Sequence, residues 1–337
     1  MQLVLGTMTF GSQVERSDAA HLVRRFRERG HRLLDTAYVY NDGATETLLG
    51  ALREADEGVR ALPIAGKANP SVAGGLTAAS LEKQLTTSLG RLGTESLDLF
   101  YLHMPDLDTP IETTLAAVTE QHAAGRFRRF GLSNYAAWQV AEIVGLCREN
   151  GWPRPVVYQG MYNALTRDVE RELFPCLARF GIDFHVYNPL AGGLLSGKYR
   201  SVDELPSDGR FAGNESYQAR YWKREYFDVI ARFADLARAR DIEPAAAALR
   251  WLVHHSALSA AARDETSGGV AESPPRGVSD DAPASGGHAI ILGASSEAHL
   301  VANLDACEQG PLPDELVAAL DEGWETVRPA CIKYFRP

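Results

Sequence analysis

Four residues able to ionise or hydrogen-bond fall where short apolar runs give way to polar segments. They are Asp35 and Tyr40 in Leu33-Leu34-Asp35-Thr36-Ala37-Tyr38-Val39-Tyr40, Lys67 in Ile64-Ala65-Gly66-Lys67-Ala68, and His103 in Phe100-Tyr101-Leu102-His103. Singly, each has an ordinary reading: a helix cap, a half-buried aromatic wall, a solvated charge, a satisfied hydrogen-bonder. Together they can deliver a proton. A tyrosine hydroxyl with a pKa near ~10 exchanges poorly at neutral pH, but a neighbouring ammonium favours the phenolate and lowers that value. Asp35 can hold the ammonium of Lys67. A neutral His103 can hydrogen-bond the same oxygen that Tyr40 touches, which orients a carbonyl. Such a set suits protonation of an alkoxide as it develops. It includes no nucleophile, metal triad or carboxylate pair, so a hydride donor must come from a cofactor.

A scaffold that gathers these residues must bring several strand ends to one face. Apolar runs at 3–6, 32–35, 62–67, 97–103, 127–133, 156–159, 183–188 and 289–293 alternate with helical patterns at 17–30, 45–55, 77–92, 111–125, 136–150, 169–180, 225–258 and 296–306. Eight such units predict one α/β domain over residues 1–337, a closed (β/α)8 TIM barrel whose strand ends share a face. Ser17 is expected to cap the first helix and Gly30 to end it. The doubly wound alternative needs a Gly-x-Gly-x-x-Gly turn, and Gly6-Thr7-Met8-Thr9-Phe10-Gly11 is not one. A barrel glycosidase would need two carboxylates at strand ends, where only Asp35 lies.

Later strand ends offer a cofactor site. Ser133-Asn134 and Gln159 provide hydroxyl and amide groups suited to a nicotinamide carboxamide, and Tyr187 can stack on a ring. The stretch Asn188-Pro189-Leu190-Ala191-Gly192-Gly193-Leu194-Leu195-Ser196-Gly197-Lys198 is a glycine-rich turn able to approach a pyrophosphate. Gly293-Ala294-Ser295-Ser296 leads into a helix whose first amides attract phosphate. Two stretches break the alternation. Residues 199–223, with Arg210, Tyr217, Arg220, Tyr221 and Trp222, read as a functional loop over the barrel mouth. Residues 260–287, rich in Gly, Ser, Pro and acids, read as an exposed, disordered insertion. A helix at 313–326 and the tail Cys331-Ile332-Lys333-Tyr334-Phe335-Arg336-Pro337 follow, expected over the active-site face.

With 45% hydrophobic and 23% charged residues, 337 residues can bury a sizeable core. A net charge of -10 argues against nucleic acid as the main partner, since a phosphate-binding surface needs a basic bias. Cys147, Cys176, Cys307 and Cys331 form no Cys-x-x-Cys pair, which fits a reducing compartment and offers no zinc site. The start lacks the apolar run of a signal peptide, and no stretch reaches the ~18 apolar residues of a membrane span. A soluble, cytoplasmic protein with a small-molecule substrate is expected.

Taken together, the motifs resemble the aldo-keto reductase superfamily from Gly6 to Arg336, the insertion apart. They are Leu34-Asp35-Thr36-Ala37 with Tyr40, Lys67 in its strand, Asp98-Leu99-Phe100-Tyr101-Leu102-His103, Gly131-Leu132-Ser133-Asn134-Tyr135 and Gln159-Gly160-Met161-Tyr162-Asn163. The wording from Tyr187 to Leu195 and the ending Tyr334-Phe335-Arg336 are similar to the aflatoxin-aldehyde and succinic semialdehyde reductase branch. The resemblance implies NADPH-dependent reduction of aldehydes, with ketones as a second class. Tyr40 would be the general acid, Lys67 would lower its pKa, Asp35 would orient the lysine and His103 would position the carbonyl. Ser133, Asn134 and Gln159 would take the carboxamide, Tyr187 the nicotinamide ring, and Asn188, Pro189, Leu190, Gly192, Leu194, Gly197 and Lys198 the pyrophosphate. Arg210 would close over the adenosine phosphate end, held by Gly293, Ser295, Ser296, His299 and Asn303. Met8, Trp222 and Arg336 would join Tyr40 and His103 around the substrate, Arg336 favouring carboxylate-bearing aldehydes. A homodimer is implied. The same barrel also serves as a non-catalytic, cofactor-sensing subunit of membrane channels, the alternative reading. Two departures stand out: the insertion is longer than the family's link, and His299 replaces the branch's usual Gln, making phosphate affinity pH-dependent if it protonates.

Overall fold

Leu3 and Leu5 join the main apolar cluster with the helices, whereas Val4 between them joins a second cluster with Leu33, Ala65, Leu99, Tyr101, Val157, Ala289 and Ile291. These residues come from alternate positions of successive strands, so the second cluster fills the inside of a barrel and the first seals its outside. The computed structural model describes residues 1–259 and 286–336. Its strands are β1 (Gln2–Gly6), β2 (Leu34–Asp35), β3 (Ile64–Ala68), β4 (Leu97–Leu102), β5 (Phe127–Ser133), β6 (Pro155–Met161), β7 (Asp183–Tyr187) and β8 (Ala289–Gly293). All neighbours are parallel and β8 returns to β1, closing the barrel in sequence order.

The helices are α1 (Arg16–Glu28), α2 (Ala44–Ala55), α3 (Glu57–Arg60), α4 (Ala78–Leu92), α5 (Ile111–Ala123), α6 (Ala137–Asn150), α7 (Leu173–Phe180), α8 (Glu215–Tyr221), α9 (Arg224–Arg238), α10 (Pro244–His254), α11 (Glu297–Glu308) and α12 (Asp314–Val327). Ser17 does not cap α1. The Ala19 amide bonds the Glu15 carbonyl, which starts the helix earlier and leaves Ser17 in its first turn. Gly30 does end it, at φ +84°. The expected helix at 169–180 divides into a short 3-10 turn, Asp168–Glu170, and α7. Gln159 lies inside β6 rather than at its end, because pairing with β7 continues to Met161.

The stretch at 199–223 contains α8, whose first turn is capped by the Asn214 side chain accepting from the Tyr217 amide at 3.2 Å. Arg167, in the loop after β6, ties α12 to this side of the barrel through Asp321 (2.7 Å) and the Leu320 carbonyl (3.1 Å). The tail then crosses the mouth: the Tyr334 hydroxyl accepts from the Ala137 amide at 3.0 Å, and the Arg336 amide donates to the Asn134 carbonyl at 3.1 Å. Most of the expected disordered insertion at 260–287 lies outside the described residues. Its last two, Gly286 and Gly287, are held by the Gln2 side chain and Asp183. Among the described residues, no helix is long and apolar enough to cross a membrane.

Candidate active site

Asp35 ends β2 opposite Ala65 of β3, so Lys67, the next inward position along β3, projects over its carboxylate. The Lys67 ammonium donates to Asp35 Oδ1 at 2.5 Å, the Thr36 carbonyl at 2.7 Å and the Tyr40 hydroxyl at 3.3 Å. Three protons meet three acceptors, and neither ionised side chain is more than 5% exposed. His103 follows β4 directly, its ring edge-on to Tyr40 with centroids 6.0 Å apart. The four residues predicted from the sequence therefore converge.

Burial is the largest influence on all three titratable partners. It lowers Lys67, but Asp35 and then Tyr40 more than offset this and hold the ammonium above its usual value. It raises the Tyr40 phenol; Lys67 pulls it down, Asp35 adds to the rise, and the net direction is upward. The lowering of Tyr40 expected from Lys67 is thus one contribution and not the outcome. Burial, with Lys67 and Arg336 adding to it, pushes His103 down to about 3, so the ring is neutral as expected.

Tyr40 stands on a turn with an unusual backbone. Asn41, Asp42 and Gly43 have φ of 48°, 53° and 91°. The Asn41 side chain offsets this strain by donating to the Met8 and Phe10 carbonyls at 2.9 and 3.0 Å. From outside, Arg91 of α4 donates to the Tyr38 carbonyl and to buried Glu46, both at 3.0 Å, and lies 4.7 Å over the Tyr38 ring. A Cβ on Gly43 would come within 2.3 Å of the Arg91 guanidinium.

Inside the barrel a hydrogen-bonded string leads away from Asp35. Gln159 Nε2 donates to Asp35 Oδ2 at 2.7 Å and also meets the Tyr101 phenol. That phenol lies 3.1 Å from His185 Nδ1, and the His185 ring is tied to the Gly287 backbone at the far end. Both Gln159 amide hydrogens are then engaged, which leaves Oε1 as its available group. Tyr101 fits because residue 131 beside it on β5 is glycine; a Cβ there would stand 2.5 Å from the ring.

On the opposite wall Asn134, at φ 65°, gathers four elements. Its Nδ2 donates to the His103 carbonyl (2.8 Å) and to Ser133 Oγ (2.9 Å), while its Oδ1 accepts from Tyr187 (2.7 Å). Asn188 Oδ1 accepts from Tyr217 at 3.0 Å, and the Asn188 side chain also meets the buried Tyr221 phenol. Pro189 and Leu190 lead into the turn, where Gly192, Gly193 and Gly197 all have positive φ. Leu194 is fully buried in the apolar cluster of the long loop, so only its backbone can serve a ligand. Lys198 is exposed beside the Tyr199 ring. Arg210 reaches across the mouth to Met8 Sδ at 3.5 Å and Tyr217 at 3.4 Å.

Beyond β8, whose last residue Gly293 is exposed, Ser296 caps α11 through the His299 amide at 3.2 Å. Ser295 Oγ lies 3.1 Å from the His299 ring, and Asn303 is buried a turn further on. Arg336 stays exposed while its backbone is pinned at Asn134. Trp222 lies half-buried in the long loop. Its indole donates to the Val202 carbonyl at 2.7 Å and its ring packs with Tyr199, Phe211 and Phe227, so it braces the long loop.

Sequence reasoning missed Asn69, whose Nδ2 lies 3.1 Å from His103 Nδ1, as well as Tyr101 and His185. Each is two residues from a predicted site residue, Lys67, His103 or Tyr187, and the period-two alternation of a strand could have found them. Nothing local pointed to Glu46 and Arg91. Among the described residues, no cluster of His, Cys, Asp or Glu could hold a metal.

Comparison with known proteins identifies the family. The aldo/keto reductase family model matches residues 2–325. The human protein named aflatoxin B1 aldehyde reductase member 2 is 46% identical, covering 99% of this chain and 89% of that one. Human aldo-keto reductase family 7 member A3 is 45% identical over 99% of this chain and 96% of its own length. Aldo-keto reductase pigE of Monascus ruber is 35% identical over 94% and 90%. The chain belongs to the aldo/keto reductase family.

Proposed function

We propose that the protein reduces aldehydes to alcohols, with NADPH as the hydride donor. The observation that carries this reading is the buried ammonium of Lys67, shared among Asp35, Thr36 and Tyr40. The donor set fits a nicotinamide dinucleotide. Gln159 Oε1 is available to accept from a carboxamide, and the Tyr187 ring is fixed by Asn134 ahead of the glycine-rich turn. When bound, NADPH supplies hydride from nicotinamide C4 to the carbonyl carbon. His103 and the Tyr40 hydroxyl hold the carbonyl oxygen, and as charge gathers there Tyr40 gives up its proton. Lys67 stabilises the phenolate that remains, and Asp35 keeps the ammonium aligned.

Ser295, Ser296 and His299 at the start of α11 are proposed to take the adenosine phosphate and to favour NADPH over NADH. The homodimer and a cytoplasmic location belong to the same reading; sedimentation velocity would report the former. The test of function is loss of reduced-nicotinamide absorbance with succinic semialdehyde or 4-nitrobenzaldehyde, compared with Tyr40→Phe. Turnover in wild type and its loss in the variant are expected. Equal inactivity of both, with cofactor still bound, would favour the non-catalytic reading instead.

A further inference from the structure

We propose that Asn69 is a positioning residue for His103: by donating to Nδ1 it keeps the imidazole proton on Nε2, the nitrogen left to meet a substrate oxygen. Asn69 Nδ2 lies 3.1 Å from His103 Nδ1. The amide cannot turn over without loss, because its Oδ1 already accepts the Ser71 amide at 2.8 Å. The backbone beneath it is fixed as well. Gln84 of α4 accepts from the Asn69 amide at 2.8 Å and donates to the Asn69 carbonyl at 3.1 Å, with both side chains buried. His103 is held in turn, its amide on the Ala68 carbonyl at 2.9 Å and its carbonyl under Asn134 at 2.8 Å. A neutral imidazole carries one proton, and a donor at Nδ1 assigns that proton to Nε2. Proton placement on the residue that orients the carbonyl is thereby set two residues beyond Lys67, by a side chain outside the reacting group.

This assignment rests on the reductase reading for its purpose, but the tautomer itself can be read without turnover. The charged groups facing His103 are Lys67 from β3 and Arg336 from the tail, with Tyr40 edge-on. The experiment is 15N NMR of the full-length, cofactor-free protein, the His103 signals being identified by their loss in His103→Gln. Wild type should show a protonated Nε2 and a bare Nδ1. In Asn69→Asp the carboxylate accepts from the ring, so Nδ1 should become protonated. Because the ring can then also hold a second proton, kcat/KM should acquire a pH dependence near neutrality that wild type lacks. Asn69→Ala should lower kcat about tenfold, the size of one oriented hydrogen bond, with cofactor affinity retained. A protonated Nδ1 in wild type, or an unprotonated one in Asn69→Asp, overturns the proposal. An inactive protein with the proton on Nε2 would instead sink the reductase reading and leave the tautomer assignment standing.

Discussion

Lys67 and Asp35 form an ion pair closed to solvent, with Nζ 2.5 Å from Oδ1 and the side chains 0% and 5% exposed. Removing one partner of such a pair strands the other charge, at a cost of roughly 3–5 kcal/mol. Asp35→Ala should therefore unfold at clearly lower denaturant than Tyr40→Phe, which removes only one of three acceptors on the ammonium. Urea titrations of the two variants compare these costs directly. Equal midpoints would mean the pair contributes to chemistry alone.

Two buried histidines make stability depend on pH. Burial, with nearby cationic groups adding to it, pushes both His103 and His185 down to about 3. Between their ordinary value of ~6.5 and that figure the unfolded chain binds more protons than the folded one, so stability is lost as pH falls through this window. Melting temperature should drop between pH 6.5 and 5, above the range where most carboxylates titrate. In His185→Gln the slope should shrink by up to ~1.4 kcal/mol per pH unit, one proton's share. An unchanged slope would show that His185 already carries its proton in the folded state.

The turn that presents Tyr40 is braced by Arg91, whose guanidinium occupies the space where a Gly43 side chain would project. Gly43→Ala must both hold a left-handed φ of 91° and displace Arg91. A loss of about 1–3 kcal/mol follows from the backbone strain, and kcat should fall as Tyr40 shifts. Parallel melting curves and single-turnover rates for Gly43→Ala and Arg91→Met test this. Full activity in both would show that the turn holds its shape without the brace.

Tyr101 links the catalytic end of the barrel to its far end. Tyr101→Phe leaves His185 Nδ1 without its phenol and releases one Gln159 amide hydrogen. Leaving such buried groups unpaired costs ~1–3 kcal/mol, and a Gln159 free to turn should weaken cofactor binding while the ion pair at Lys67 persists. Quenching of tryptophan fluorescence by NADPH gives the affinity. An unaltered dissociation constant would mean Asp35 alone orients Gln159.

The eight-strand alternation and the four converging residues were legible because Asp35, Lys67 and His103 sit at or beside strand ends, where apolar pattern and polar residue meet, and Tyr40 follows in the loop after β2. The supporting layer was less legible for a physical reason. Tyr101 and His185 look like core residues in a linear sequence, and their polar atoms acquire meaning only when barrel closure turns the inward positions of β4, β6 and β7 toward one another. Glu46 and Arg91 lie on different helices, 45 residues apart, and no local pattern announces their pairing. The net rise of Tyr40 was also hidden, since sequence reveals a neighbouring charge but not how fully water is excluded. Trp222 shows the converse: a motif match located the residue, while its bond to the Val202 carbonyl, which braces the loop, was not legible.

Arg336 offers a test of substrate choice. The tail is pinned to Asn134 through the Arg336 amide, at the element that also anchors His103, so its guanidinium extends from a fixed point at the rim. Its charge adds to the lowering that burial imposes on His103 and offsets part of the rise that burial imposes on Tyr187. An aldehyde whose carbonyl is held at His103 and Tyr40 and which carries a distant carboxylate could meet that guanidinium with a charge-assisted hydrogen bond. At about 1.5–3 kcal/mol, this bond would favour succinic semialdehyde over a neutral aldehyde by roughly 10- to 100-fold in kcat/KM. Arg336→Ala should erase most of that preference through KM while leaving reduction of 4-nitrobenzaldehyde near the wild-type rate, because the backbone bond to Asn134 survives the substitution. If the ratio of the two kcat/KM values is the same in variant and wild type, Arg336 does not select the substrate.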